Sequence, residues 1–270
     1  MHYTKREAIV KASMKSLLFL TGGLVILSFF LWCPPGEARS FRNISSFTVI
    51  DYDGAGTSRI YENALITKTS SSTSLLVKAY HDRRSSWNNT IITLGPIINL
   101  DRYHYLECTY GYGFDSDNRK AHYLTFDLTR EKPGYLAGLG YRFGKYPGYS
   151  FNVISPFARY YLTPRLSLWT KLFASIDSDN NFDQAYWIEG TYRISRRLFF
   201  TLGSTGGNRL YSPEYESAFG GHADMRFFSY LAQVSFAFNE RFVLKYQFEN
   251  ITRQSSYTDI KNVVVLDTRF

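Results

Sequence analysis

Cysteine is nearly missing: 270 residues hold two, Cys33 and Cys108. Removal of the leader described below leaves Cys108 alone, so an exported chain forms no internal disulfide, and the thiol reads as a small apolar residue on a strand face. CxxC, HExxH and Gly-Lys-Ser/Thr phosphate-loop patterns are all missing, and with them the common zinc and nucleotide signatures. No cofactor and no metal site is expected. After Trp32 no run is long and apolar enough for a membrane helix, and no segment sustains a 3.6-residue period. Lys and Arg never cluster, so the formal net charge of +8 does not mark a nucleic-acid surface.

The first forty residues stand apart. Lys5, Arg6, Lys11 and Lys15 precede the apolar run Leu17–Trp32, which Pro34, Pro35 and the small-residue site Ala38-Arg39-Ser40 follow. This is the order of a secretory signal, with cleavage expected after Ser40. The run falls short of the ~20 residues a spanning helix needs. Met14 is the more natural start, which makes 1–13 an extension. Trp32 before Cys33 is too large for lipoprotein processing, so no lipid anchor is expected. Residues 41–270 keep 26 basic and 21 acidic residues, a net +5, compatible with anionic partners or a lipopolysaccharide-rich surface.

What is abundant is aromatic: 22 Tyr and 22 Phe, in a chain whose mean hydropathy is only −0.24. A membrane barrel reconciles the two, because alternation confines apolar side chains to one face of each strand. Phe242, Leu244, Tyr246 and Phe248 alternate with Lys245, Gln247 and Glu249, a period of two that only a strand presents as two faces. Phe270, with Leu266 and Val264 before it, ends the chain as outer-membrane barrels end the strand that their assembly machinery reads. Thr268 and Asn262 depart from that apolar pattern.

Polar, Gly-rich or Asn/Asp-rich loops divide the chain at 53–56, 83–89, 115–118, 144–148, 177–181, 203–224 and 253–259, with shorter turns at 70–72, 99–102, 130–134, 163–165, 195–197 and 239–241 between them. The alternation of long and short predicts an all-β fold, a transmembrane antiparallel up-and-down barrel over 41–270 with about fourteen strands, from 43–52 to 260–270. If the first two form a periplasmic or plugging segment, twelve remain. Tyr161-Leu-Thr-Pro-Arg, Tyr192-Arg-Ile-Ser-Arg and Phe236-Ala-Phe-Asn-Glu-Arg each set an aromatic before an inner turn, as an interfacial girdle requires. Tyr80, Tyr112, Phe114, Tyr146 and Tyr149 are the expected outer girdle.

The stretch Asn99–Lys145, with its Tyr-Gly-Tyr strand, Ser/Asp loop, Pro-Gly turn and Gly-rich strand, resembles the YaiO-like outer-membrane β-barrel family. The resemblance implies a barrel and brings no catalytic residues.

Alternation turns Glu107, Asp127, Arg142, Arg159, Lys171, Glu189, Arg193, Lys245, Glu249 and Asp267 inward. Such a set either sorts solutes in a polar lumen or fills a closed barrel with ion pairs. The expected function is a non-enzymatic channel, or an export or surface component, for saccharide-like or anionic solutes. A filled barrel acting through its outer loops is the alternative, and a lipid hydrolase or protease a third. The third needs Ser, His and an acid to converge. His81, His104, His122 and His222 lie on separate segments, Phe114 stands where the His of a phospholipase-like His-Asp-Ser loop would be, and Gly203–Gly207 reads as a flexible loop. Expected partners are outer-membrane lipid, lipopolysaccharide and, through Phe270, the barrel-assembly machinery.

Overall fold

The computed structural model describes residues 40–52, 56–84, 88–115, 119–208, 226–253 and 258–270. The leader and the 1–13 extension, Cys33, His222 and most of the longest loop lie outside the described residues.

Fourteen strands follow one another: β1 Phe41–Tyr52, β2 Gly56–Lys68, β3 Thr73–Arg83, β4 Asn88–Asn99, β5 His104–Asp115, β6 Lys120–Lys132, β7 Tyr135–Tyr146, β8 Tyr149–Thr163, β9 Leu166–Asp177, β10 Phe182–Arg193, β11 Leu198–Gly207, β12 Phe227–Ala237, β13 Phe242–Arg253 and β14 Thr258–Arg269. Each pairs antiparallel with its neighbours in sequence, and β1 pairs with β14 to close the barrel. The twelve-strand alternative is overturned, because β1 and β2 are wall strands: Phe47 faces Val264 of β14 on one side and Tyr61 of β2 on the other.

The expected contrast in loop length is also corrected. On the rim away from Phe41 and Phe270, six of the seven connections have four residues or fewer, matching the opposite rim, and only 208–226 is long. Strand pairing runs on through polar residues such as Asp51, Thr57 and Arg59, since a backbone ladder above the hydrocarbon layer needs no apolar face. We call the rim bearing Phe41 and Phe270 the inner rim.

Five inner turns share one device. Ser70, Asp101, Thr163, Ser195 and Asn239 each accept backbone N–H bonds from the residues two and three positions on, at 2.7 to 3.2 Å. A short polar side chain thus replaces backbone partners in the turn. The sixth, Pro133-Gly134, and the outer Pro147-Gly148 use Pro followed by Gly at φ +93° and +77°, the type II arrangement that only Gly adopts cheaply at the second position.

Register fixes two faces. The outer one carries Phe242, Leu244, Tyr246 and Phe248 together with Leu139, Ile154, Leu172 and Leu202, all exposed. The inner one holds the packed core in its outer half: Ile50, Ile60, Tyr80, Ile91, Ala121, Tyr123, Phe151 and Val153, with Tyr52, Tyr146, Tyr149 and Phe173 against them. Tyr80, Tyr146 and Tyr149 therefore leave the expected outer girdle and point inward. Glycines on β7 make room for this packing. A Cβ on Gly144 would lie 2.2 Å from the ring of Phe151, which is fully buried.

Candidate functional site

The interior is built by strand parity. Cross-strand pairs on the face shared with the buried core include Glu107 with Asp127, Thr125 with Arg142, Leu136 with Arg159, and Phe157 with Lys171. The same face carries Glu189 opposite Gly203, Arg193 opposite Phe199, Lys245 opposite Ser235, Glu249 opposite Lys261, and Asp267 opposite Val243. The barrel brings all ten charged residues to one interior but does not gather them into one cluster.

Three groupings result. At the inner end of the seam, Arg42 holds Asp267 with Nε to Oδ1 at 2.9 Å and Nη2 to Oδ2 at 2.6 Å. At mid-height Lys78 pairs with Glu62 at 3.1 Å and Lys261 with Glu249 at 3.3 Å, while Ser229 donates to Glu249 at 2.7 Å.

The third grouping lies on β8, β9 and β10. One cross-strand row reads Phe157, Lys171, Trp187; the next reads Arg159, Trp169, Glu189. Cations and aromatics alternate across β8 and β9, and on β10 the carboxylate Glu189 follows Trp187. The Arg159 guanidinium lies 5.1 Å from the Trp169 ring centre, and the Lys171 ammonium lies 5.4 Å from Phe157 and 5.3 Å from Phe173. Such distances fall within cation–π range. Trp187 Nε1 donates to Glu189 at 2.8 Å. Gly203 belongs to β11 rather than to a flexible loop: a Cβ there would sit 2.8 Å from Cγ of Glu189.

Sequence reasoning did not find the charged network at the outer end. Asp82 and Asp259 are almost wholly buried. Ser58 donates to Asp82, Arg84 reaches Asp82 at 3.3 Å, and Arg253 pairs with Asp259. The Tyr52 ring lies between the two guanidiniums, 5.1 Å from Arg84 and 5.6 Å from Arg253. These residues sit at strand ends next to loops, where alternation gives little signal.

The described histidines do not converge. His81 bonds Thr90 at 2.9 Å and His122 bonds the Tyr110 hydroxyl at 2.7 Å, both on the outer face, while His104 contacts Asp101 in an inner turn at 2.8 Å. The Asp101 carboxyl is held below the usual carboxylate range, chiefly by the Tyr103 N–H and then by His104. Phe270 pairs its backbone with Phe41 and stacks on that ring at 4.7 Å. The two polar departures in β14 find partners: Tyr246 donates to Asn262 at 2.7 Å and Thr268 to the Asn43 carbonyl at 3.4 Å.

No protein-family model matches the sequence, and no curated protein matches it. Solved structures do match. The toluene transporter TbuX of Ralstonia pickettii aligns over 87% of this chain and 90% of its own, with TM-score 0.59 and 10% identity. A bacterial polysaccharide outer-membrane secretin aligns over 86% and 98%, with TM-score 0.54 and 9% identity. The COG4313 outer-membrane channel of Pseudomonas putida F1 aligns over 88% and 97%, with TM-score 0.52 and 13% identity. With its closed ladder, apolar exterior and charged interior, this chain has the fold of the bacterial outer-membrane β-barrels.

Proposed function

We propose that this barrel is a non-enzymatic passage through the outer membrane, YaiO-like in family, for saccharide-like or anionic solutes. The observation that supports it most is the state of the mid-height charges. Lys78 and Glu62 each keep 27% of their side-chain surface exposed although both face the interior, so water reaches the pair. Lys245 and Arg159 have no carboxylate within ion-pair distance among the described residues, leaving positive potential for an anion. Fourteen strands also enclose more width than the eight whose side chains fill a barrel. The similar structures are named for a toluene transporter, a polysaccharide secretin and a channel, so the fold alone does not select the solute.

A second reading, a filled barrel acting through its outer loops, is favoured by the packing of the outer half, where Phe151, Asp82 and Ser58 have no exposed surface. The hydrolase reading draws no support from His81, His104 and His122, whose partners are Thr90, Asp101 and Tyr110 respectively.

Conductance of the purified protein in planar bilayers separates the first two readings. Discrete steps with anion preference are expected of a passage. A silent membrane containing folded protein would favour the filled barrel.

A further inference from the structure

We propose that the inner face of β8, β9 and β10 is a binding strip for an acidic oligosaccharide, with Trp169 and Trp187 stacking on sugar rings and Arg159 meeting a carboxylate. The inference gives the proposed passage a ligand class, and rests on it only for how the ligand reaches the interior.

Trp169 and Trp187 face inward, paired with Arg159 and Lys171. Tryptophan in a membrane protein ordinarily belongs to the headgroup belts, where its ring is apolar and its N–H is wet. Both residues are only partly buried, and the Trp169 ring is flanked by Phe157 at 5.4 Å and Arg159 at 5.1 Å, so a sugar there meets a ring already held in place. The two positions are diagonal neighbours across β9 and β10, a separation of about 7–8 Å, so rings of one chain can use both. A pyranose presents a face of polarised C–H bonds that suits the negative face of an indole, and its hydroxyls need acceptors. Glu189 stands beside both Trp residues and takes the Trp187 N–H on Oε1, leaving its other oxygen for a hydroxyl.

The cations set the charge of the ligand. Arg159 Nε is buried without a hydrogen-bond partner, its guanidinium lies over Trp169, and no carboxylate of the described residues pairs with it. A planar guanidinium with open donors beside a stacking surface suits a carboxylate carried on a ring. Lys245, from β13 three strands away, faces the same interior. A neutral sugar would use the indoles and leave the Arg159 Nε unpartnered.

Titration calorimetry of the folded protein in detergent tests this, with hexagalacturonate as the acidic probe and maltohexaose as its uncharged counterpart. Saturable binding of hexagalacturonate is expected, at least tenfold tighter than maltohexaose and weakened about tenfold by Arg159→Gln and by Trp169→Ala. Trp169→Phe, which keeps a ring, should recover part of the loss. Each variant is first checked for heat-modifiable gel mobility, and Lys245→Gln substitutes for Arg159→Gln if the latter does not fold. Equal affinity for both sugars, no binding, or binding indifferent to these substitutions overturns the strip. Conductance without hexagalacturonate binding removes the strip and keeps the passage, whereas binding to a non-conducting barrel removes the passage and keeps the strip.

Discussion

Arg42 of β1 grips Asp267 of β14 through two parallel hydrogen bonds, of 2.9 and 2.6 Å, across the seam that closes the barrel. Asp267 is nearly buried while Arg42 is 39% exposed, so loss of the arginine leaves a carboxylate that water barely reaches with the longer contact to Arg269 at 4.0 Å. Arg42→Ala should cost about 1.5–3 kcal/mol, the usual range for hydrogen bonds to charged groups. Asp267→Asn alone should cost less, and the double variant little more than Arg42→Ala. Denaturant titrations of the four proteins in lipid vesicles give the coupling; additive losses would mean the pair does not hold the seam.

The faces of β13 can be tested at adjacent positions. Leu244 is exposed on the lipid side and Lys245 faces Ser235 and Val265 inside. Leu244→Arg should cost about 1 kcal/mol or more, since Leu244 is the third residue of β13 from the inner rim and the cost of a lipid-facing cation rises from about 0–1 kcal/mol at the interface toward about 2–4 at the midplane, and Lys245→Gln should cost less. Equal folding free energies for the two variants would mean that the faces are misassigned. In a conducting barrel, Lys245→Gln should also reduce the preference for anions, read as a shift in reversal potential.

Gly144 carries the packing of the outer half. The Cβ of an alanine there would enter the ring of Phe151, which has no free surface into which it can retreat. Gly144→Ala should destabilise the barrel by about 1–3 kcal/mol, the range for overpacked cores, and the double variant Gly144→Ala, Phe151→Leu should regain part of it. Heat-modifiability on gels against temperature reads both.

Deleting Phe270 should lower the amount of assembled barrel without changing export. The deletion removes a stacked ring, an edge contact to Phe242 and two backbone bonds to Phe41. Fractionation with heat-modifiable mobility measures it, and unchanged assembly would remove any role for the terminal residue.

Asp101 provides a pH test outside the hydrocarbon layer. Its carboxyl pKa is depressed in the folded turn, so its contribution is present above the ordinary carboxylate range and is lost as pH falls through the depressed value. The Tyr103 amide resonance should follow that transition, and Asp101→Asn should abolish it while leaving the turn closed at neutral pH. An amide shift that persists in Asp101→Asn would assign the titration to another group.

Alternation was the legible part of this protein. Phe242, Leu244, Tyr246 and Phe248 announce a lipid-facing stripe because a membrane demands an apolar residue at nearly every outward position, and the same parity turns Lys245 and Glu249 to the interior. Loop length was less informative. Pro147-Gly148 closes β7 to β8 as tightly as Pro133-Gly134 closes β6 to β7, and polar residues read as loop continue the ladder. The recurring feature of the inner turns was visible as an aromatic before a turn, yet Thr163, Ser195 and Asn239 are the residues that hold those turns shut. Interior packing was illegible, because Tyr80, Tyr146 and Tyr149 look the same in sequence whether they meet headgroups or one another. The rows on β8 to β10 needed register between strands, which no single strand encodes.

The β1–β14 seam is the one pairing of this barrel that no turn prepares. Thirteen pairings join strands consecutive in the chain, and each can zip from its own turn. The fourteenth joins residues 225 positions apart. Compared with a hairpin, that closure lengthens the loop by roughly four doublings, at about 0.6 kcal/mol each, and comes after the others have stiffened the chain. Until it forms, β1 and β14 present two free edges whose backbone groups invite pairing with any other strand. The meeting of the two most distant strands is thus the pairing with the largest closure entropy, and an escort that shields both edges until they meet would protect the chain without touching any of the hairpins.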